Sequence, residues 1–241
     1  MIWMQFQQIS IHNAMTYSAT KPNPNVTEYY PMPALDAPRQ IRTAGVLYLV
    51  IIASGLTAEL ALRGPALGGG AETLVTHLSS IRLSLLADVI MLLADIALAL
   101  VFFTLLRPVS EGLSRAAMVF RLGQAALIGT SLVALSAVPQ LVEGGRTDLA
   151  LTFAALHASG YDIGLILFGV NAMLMAKLVC LSRVAPMVLP AGLTLTGLVY
   201  IAGGITRLAA PDLNVLIQPA YLVCIVTGVG FCLWLLIAGR L

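Results

Sequence analysis

The sequence predicts an all-α integral membrane protein, a bundle of six transmembrane helices with both termini cytoplasmic. Three observations carry that reading. Of 241 residues, 59% are hydrophobic and only 10% are charged, whereas soluble domains carry about 25% charged residues. The apolar residues collect into stretches near the roughly 20 residues that a spanning helix needs, approximately 44–62, 83–106, 116–138, 149–178, 187–207 and 214–238. Lysine and arginine, finally, favour alternate connections between those stretches.

Residues 1–43 come first and are polar and proline-rich, with Pro22, Pro24, Pro31, Pro33 and Pro38. Such a segment cannot build a core and is expected to be a disordered or extended cytoplasmic tail. Partner binding and a loose terminus are both open to it. Residues 1–14 lack the basic and apolar regions of a cleavable signal peptide. The first spanning helix is therefore expected to act as its own signal, and Met15 is an alternative start to Met1.

Breakers mark the connections between spans: Gly64-Pro65 with Gly68-Gly69-Gly70, Arg107-Pro108, Pro139 with Gly144-Gly145, Pro186, and Pro211-Asp212. Residues 71–81 hold Glu72 and His77, too polar for a bilayer core. They are expected either to start the second helix early or to form a short interfacial helix.

Orientation follows from the basic residues. Lys21, Arg39, Arg42, Arg107, Arg115, Lys177, Arg183 and Arg240 fall on one side, and Arg63, Arg82, Arg146 and Arg207 on the other. The excess places the first side in the cytoplasm, and an even number of spans returns the chain there. The two halves, 44–138 and 149–238, share no convincing motif that would mark an inverted repeat.

Composition also limits function. A formal net charge of +2, with no Lys/Arg cluster, gives no reason to expect a nucleic-acid partner. Cys180, Cys224 and Cys232 lie in or beside apolar segments and read as small core residues. No P-loop, dinucleotide fingerprint or nucleophile motif appears. With histidines only at positions 12, 77 and 157, a catalytic metal site is poorly supported. No catalytic residue, metal ligand or cofactor is assigned.

The candidate site is a buried polar cluster. Asp88 and Asp95 are seven residues apart, nearly two turns, and share one helix face. The next helix runs back antiparallel with Arg121 and Gln124, which makes an Asp95–Arg121 ion pair geometrically easy. The fourth helix carries His157, Tyr161 and Asp162, with Gly160 and Gly164 forming a GxxxG that permits close helix approach. This suggests two layers: Asp95, Arg121 and Asp162 near the midplane, and Asp88, His157 and Tyr161 nearer the outside. Glu59, Arg63, Arg82 and Arg207 are expected to line the outer mouth. Buried ion pairs can simply fix helix register, and a structural or accessory membrane subunit is the leading expectation. Intramembrane charges also mark solute or proton pathways, so a small-solute or proton-linked transporter or channel is the alternative. An intramembrane enzyme is the third and weakest reading. A pathway requires a continuous polar cavity joining Asp88, His157, Tyr161 and Asp162 to the outer surface.

Several of these residues also carry a resemblance. The run Leu156-His157-Ala158-Ser159-Gly160-Tyr161-Asp162-Ile163-Gly164 continuing to Gly169 resembles the signature of a bacterial membrane family. So do Arg82-Leu83 through Asp88 and Asp95, Arg107-Pro108-Val109, Phe120-Arg121-Leu122 and Cys232-Leu233-Trp234-Leu235-Leu236. The family is catalogued as domain of unknown function 4386, and the likeness covers about residues 44–238. It implies a multi-pass protein of the bacterial inner membrane, with no activity, substrate or catalytic residue to carry over. Relatives often have a glutamate in the last helix, about where Gly228 lies here. The lipid bilayer is the expected partner, together with a homo-oligomer or a larger membrane complex.

Overall fold

Helix α1 opens at Ala37 and runs to Leu56 in the computed structural model, which describes residues 37–241. Seven residues assigned to the tail from sequence are therefore helical. Pro38 is the second residue of the helix, where its missing N–H would have had no partner and its fixed φ suits the turn. The rest of the tail reading, 1–36, lies outside the described residues, as does the choice between Met1 and Met15.

The first span does not stop at residue 62. It passes through a π-helical segment, Thr57–Arg63, into the short helix α2, Gly64–Gly68. Gly64-Pro65 fails to break it because Gly64 keeps helical angles and Pro65 falls in the first turn of α2, where no donor is missed. Helix α3, Ala71–Thr76, follows, and a kink at His77 leads into α4, Leu78–Leu106. The polar stretch 71–81 thus forms a separate short helix and also starts the second span early.

Helix α5 spans Glu111–Glu143, begun by Ser110, whose hydroxyl accepts from the Leu113 amide, and by Glu111 at the positive end of the helix dipole. Pro139 lies inside this helix and is buried. It removes one backbone hydrogen bond without ending the helix, as membrane helices tolerate. Helix α6, Thr147–Ser182, ends at Arg183 in the left-handed conformation (φ 57°), with Pro186 beyond it. Helix α7 is Val188–Ala209 and α8 is Pro211–Ile217. A single 3₁₀ turn, Gln218–Ala220, joins α8 to α9, Tyr221–Ala238.

Six segments are long and apolar enough to cross a membrane: Ala37–Gly68, Leu78–Leu106, Glu111–Glu143, Thr147–Ser182, Val188–Ala209 and Pro211–Ala238. Large apolar side chains such as Leu60, Leu93, Val133, Leu216 and Ile237 point outward. Monomeric soluble proteins rarely expose so much contiguous apolar surface, so a lipid bilayer is the solvent. No strand occurs among the described residues.

Each span packs on its neighbours in sequence, and α9 packs back on α1, closing a ring in the order α1, α4, α5, α6, α7, α9. The most extensive contact is α5 on α6. A Cβ on Gly160 would lie 2.7 Å from Ser131 Cβ, and one on Gly164 would lie 2.8 Å from Ile128 Cγ1. The GxxxG face is therefore the surface that α5 occupies. Six alternating spans bring Gly239 beside Arg42, so both ends of the described chain lie on one side, here called the end face.

Two apolar cores fill the ring unequally. Near the end face, Ile41, Phe102, Ala117, Met175, Leu189 and Phe231 bring all six spans into one cluster. In the opposite half, Ala66, Leu74, Ile81, Leu135 and Ala150 join only the first four spans, without α7 or α9. Space is left on the side of those two helices.

Candidate functional site

Heptad spacing on α4 puts Asp88 and Asp95 on its inner face, both buried. Each meets a different arginine. Arg121 on α5 donates from Nε (2.9 Å) and Nη2 (2.5 Å), both to Asp95 Oδ1. The guanidinium stands 5.8 Å from the ring centre of Tyr48, 5.9 Å from that of Phe102 and 5.4 Å from that of Phe168, so aromatic faces replace water around its charge. Asp95 Oδ2 has no hydrogen-bond partner, and neither does Gln124 Oε1, although Gln124 lies beside Asp95. Asn171 donates to the Ala117 carbonyl at 2.7 Å and ties α6 to α5 on the same level.

Asp88 accepts from Arg63 Nη1 at 2.6 Å. Arg63 also donates to Glu59 Oε2 from Nε (3.0 Å) and Nη2 (2.7 Å), so one guanidinium serves two carboxylates. Both Glu59 and Arg63 sit on the π-helical segment. Arg63 was expected at the outer mouth; instead its residue is 5% exposed and closes over Asp88, which is fully buried. The reason is the continued helix: ending the span at residue 62 leaves Arg63 in a loop, whereas the π turn carries it inward. The Glu59–Arg63 spacing of four residues was the available signal.

The fourth span distributes its polar groups among separate partners. His157 Nδ1 lies 3.0 Å from Ser131 Oγ on α5, its ring 5.8 Å from that of Tyr161. Tyr161 also faces Arg63 at 5.8 Å and sends its hydroxyl toward Met91 Sδ at 3.7 Å. Asp162 is not in a layer with Asp95 and Arg121. It accepts from Arg207 Nε at 2.9 Å, on a helix drawn close because Gly204 has no side chain to strike Ile166. Arg82 pairs with Glu143 on the exposed surface. Of the four residues expected at the mouth, only Glu59 lines a cavity.

That cavity has a volume of about 300 Å³ and is walled by all six spans, the low end of the range for ligand sites. Tyr48 and Gly55 come from α1, Asp95 from α4, Arg121 and Gln124 from α5, Tyr161 and Phe168 from α6, Thr196 and Tyr200 from α7, and Tyr221 and Gly228 from α9. Phe168, Tyr200 and Tyr221 form a continuous edge-to-face row, with centroids 5.3 and 5.8 Å apart. The core near the end face closes the cavity on that side. It reaches the surface where exposed Leu56 and Glu59 on the first span face exposed Ile225 on the last. Asp88 Oδ1 and Thr196 Oγ1 are the other buried side-chain oxygens without a hydrogen-bond partner among the described residues.

The polar route expected through Asp88, His157, Tyr161 and Asp162 is therefore corrected. Only Tyr161 lines the cavity, while the other three are paired side chains in packed surroundings. Sequence reasoning had no hold on Tyr48, Thr196, Tyr200 or Tyr221, because a void belongs to the packing of all six spans. Among the described residues, no three His, Cys, Asp or Glu side chains gather as metal ligands would.

Residues 43–239 match the family described as Domain of unknown function (DUF4386). The chain belongs to that family. No curated protein and no solved structure matches it. The match covers all three Arg–Asp pairs.

Proposed function

We propose that this multi-pass DUF4386 protein of the bacterial inner membrane binds a small molecule in its central cavity, as a non-enzymatic carrier or receptor. The single supporting observation is the cavity itself. It draws walls from all six spans and combines apolar and aromatic surface with a few buried polar groups, the usual make-up of a ligand site. The remaining pairs, buried Arg63–Asp88 and half-exposed Asp162–Arg207, act as supports that hold the ring around it. A purely structural or accessory role is favoured by those pairs but leaves the cavity without a purpose.

The test is a thermal-shift screen of small solutes on the purified protein, since a ligand that binds only the folded state raises its apparent stability. Gly228 provides the matching variant. A Cβ there meets only Ile52 and Tyr48 carbons, each at 3.9 Å, so Gly228→Leu should project into the cavity and occupy part of it without a backbone clash. Ligands that stabilise the parent and spare Gly228→Leu would support the reading. An equal response from both would overturn it.

Both termini are proposed to be cytoplasmic, supported by the Lys/Arg excess near the end face. Reporter fusions after Arg115 and Arg183 should report cytoplasm, and one near Arg146 the outside.

A further inference from the structure

We infer that the cavity takes an uncharged, largely apolar molecule dissolved in the bilayer, which enters sideways from the lipid between the first and last spans. The inference rests on the cavity reading above and adds a chemical class and a route. The class follows from the surface that an occupant would touch. Asp95, Arg121, Gln124 and Thr196 stand in the wall but are at most 6% exposed. Arg121 and Asp95 also neutralise each other. What remains open to the cavity is mostly carbon, from Ile51, Ile52, Leu165, Phe168 and Leu193 and from tyrosine rings. An ion entering this space would lose its water with almost no polar surface to replace it. An apolar occupant instead restores the dispersion contacts that the lining atoms of a void lack.

The route follows from the two spans that close the ring. Near the end face they touch. A Cβ on Gly45 of α1 would lie 2.8 Å from the Leu236 side chain and 3.1 Å from its backbone nitrogen, and Cys232 Sγ donates to the Gly45 carbonyl at 3.4 Å. Further along α9, Gly228 brings no side chain to the contact, and a Cβ there would meet nothing closer than 3.9 Å. Beyond Gly228, Leu56 and Glu59 on one helix and Tyr221 and Ile225 on the other border the cavity. The two contacts that α9 makes, with α1 and α7, are also the slightest in the ring. Ile225 lies at the middle of the span Pro211–Ala238. At about 1.5 Å of rise per residue, Leu56 lies about 5 Å and Glu59 about 10 Å from the middle of Ala37–Gly68. A hydrocarbon core of about 30 Å reaches about 15 Å to either side of its midplane, so the opening looks into lipid rather than water. Glu59 is bonded there to Arg63, and the apolar core near the end face seals the opposite direction.

The probes are three photolabels built on one phenyl trifluoromethyl diazirine, the first uncharged, the second bearing an aminomethyl group and the third a carboxylate. Each is added to the full chain in lipid vesicles at neutral pH, and labelled residues are located by peptide mass spectrometry. Exposed Leu93, Val133 and Ile237 serve as the lipid-facing reference. The uncharged label should mark Leu165, Phe168 and Tyr200 saturably, and naphthalene should suppress that labelling while leaving the reference unchanged. At equal total incorporation, the charged labels should mark the same wall residues at least tenfold less. The double variant Leu56→Trp, Ile225→Trp adds bulk at the opening and touches no ion pair. Followed by rapid mixing and a flash, it should slow wall labelling at least tenfold and leave the reference as fast as before. Wall labelling by a charged probe equal to that by the uncharged one would overturn the uncharged class and leave the cavity as a binding site. An unchanged time course in the double variant would overturn the seam as the entrance. A wall that no probe marks, in a protein whose lipid-facing residues are marked, would overturn this inference alone, because the thermal-shift screen of water-soluble solutes decides the cavity reading separately.

Discussion

Asp88 and Asp95 are the same residue type on the same face of the same helix, seven positions apart, and each has one buried arginine. Each is bound through one oxygen with the other unpaired, yet their surroundings differ. The Arg63–Asp88 pair is shared with a second carboxylate, Glu59, and Asp88 itself has no route to the cavity. The Arg121–Asp95 pair has a single carboxylate bound through one oxygen, is boxed by three aromatic rings, and forms cavity wall. The first pair is a staple that fastens the π-helical turn to α4. The second borders the cavity. Burial, charge and one carboxylate oxygen without a partner (Asp88 Oδ1, Asp95 Oδ2) are common to both; what separates a support from a site is whether it borders a void.

The largest effect should come from the staple. Arg63→Leu leaves Asp88 alone in a fully buried position and should cost about 3–5 kcal/mol, read as a steep fall in melting temperature or loss of folded protein. The double variant Arg63→Leu, Asp88→Leu should recover much of that loss. If the double variant is no better than the single one, the pair is not a staple.

Arg121→Gln should cost less, on the order of 3 kcal/mol, because water entering the adjacent cavity can solvate the freed Asp95. In the double variant Asp95→Asn, Arg121→Gln the losses should fall short of additive by roughly 0.5–3 kcal/mol. A cost for Arg121→Gln above that of Arg63→Leu would erase the distinction between the two pairs.

His157→Gln comes next. It removes the ring that meets Ser131 and should cost about 1–3 kcal/mol if the glutamine fails to remake that bond. Because His157 does not line the cavity, ligand response should be unchanged, and a lost response would join it to the site.

The smallest effects belong to space and surface. Gly228→Leu should alter ligand-free stability by no more than about 1 kcal/mol, since helix propensity and filled volume both favour it. A much larger loss would mean that the cavity wall is tighter than its geometry indicates. Arg82→Gln breaks an exposed pair with Glu143 and should cost about 0–1 kcal/mol.

What the sequence made legible divides along the same line. Apolar length and breakers carried the six spans, and the hairpin geometry between α4 and α5 carried the approach of Arg121 to Asp95. Both rest on periodicity and adjacency, which are local. Arg63 was misplaced because Gly64-Pro65 reads as a stop, while a π-helical turn, which no residue pattern here announces, carried the chain on. Arg207 was set at a mouth although Gly204 lets its helix close on Asp162. The cavity was invisible for a different reason. It exists where the second apolar core omits α7 and α9, and an omission in packing has no motif.

The ring also has an order in time. Its sixth member is synthesised after the other five, and chains commit their N-terminal parts first. Until Tyr221–Ala238 docks between α7 and α1, the inner faces of the earlier helices border only a cleft open along its length to lipid. The helices that carry Arg121 and Asp95 are therefore both complete before the chamber beside them is. A chain ending before residue 221 would lack the wall that Tyr221, Ile225 and Gly228 supply, and the chamber would stand open on that side.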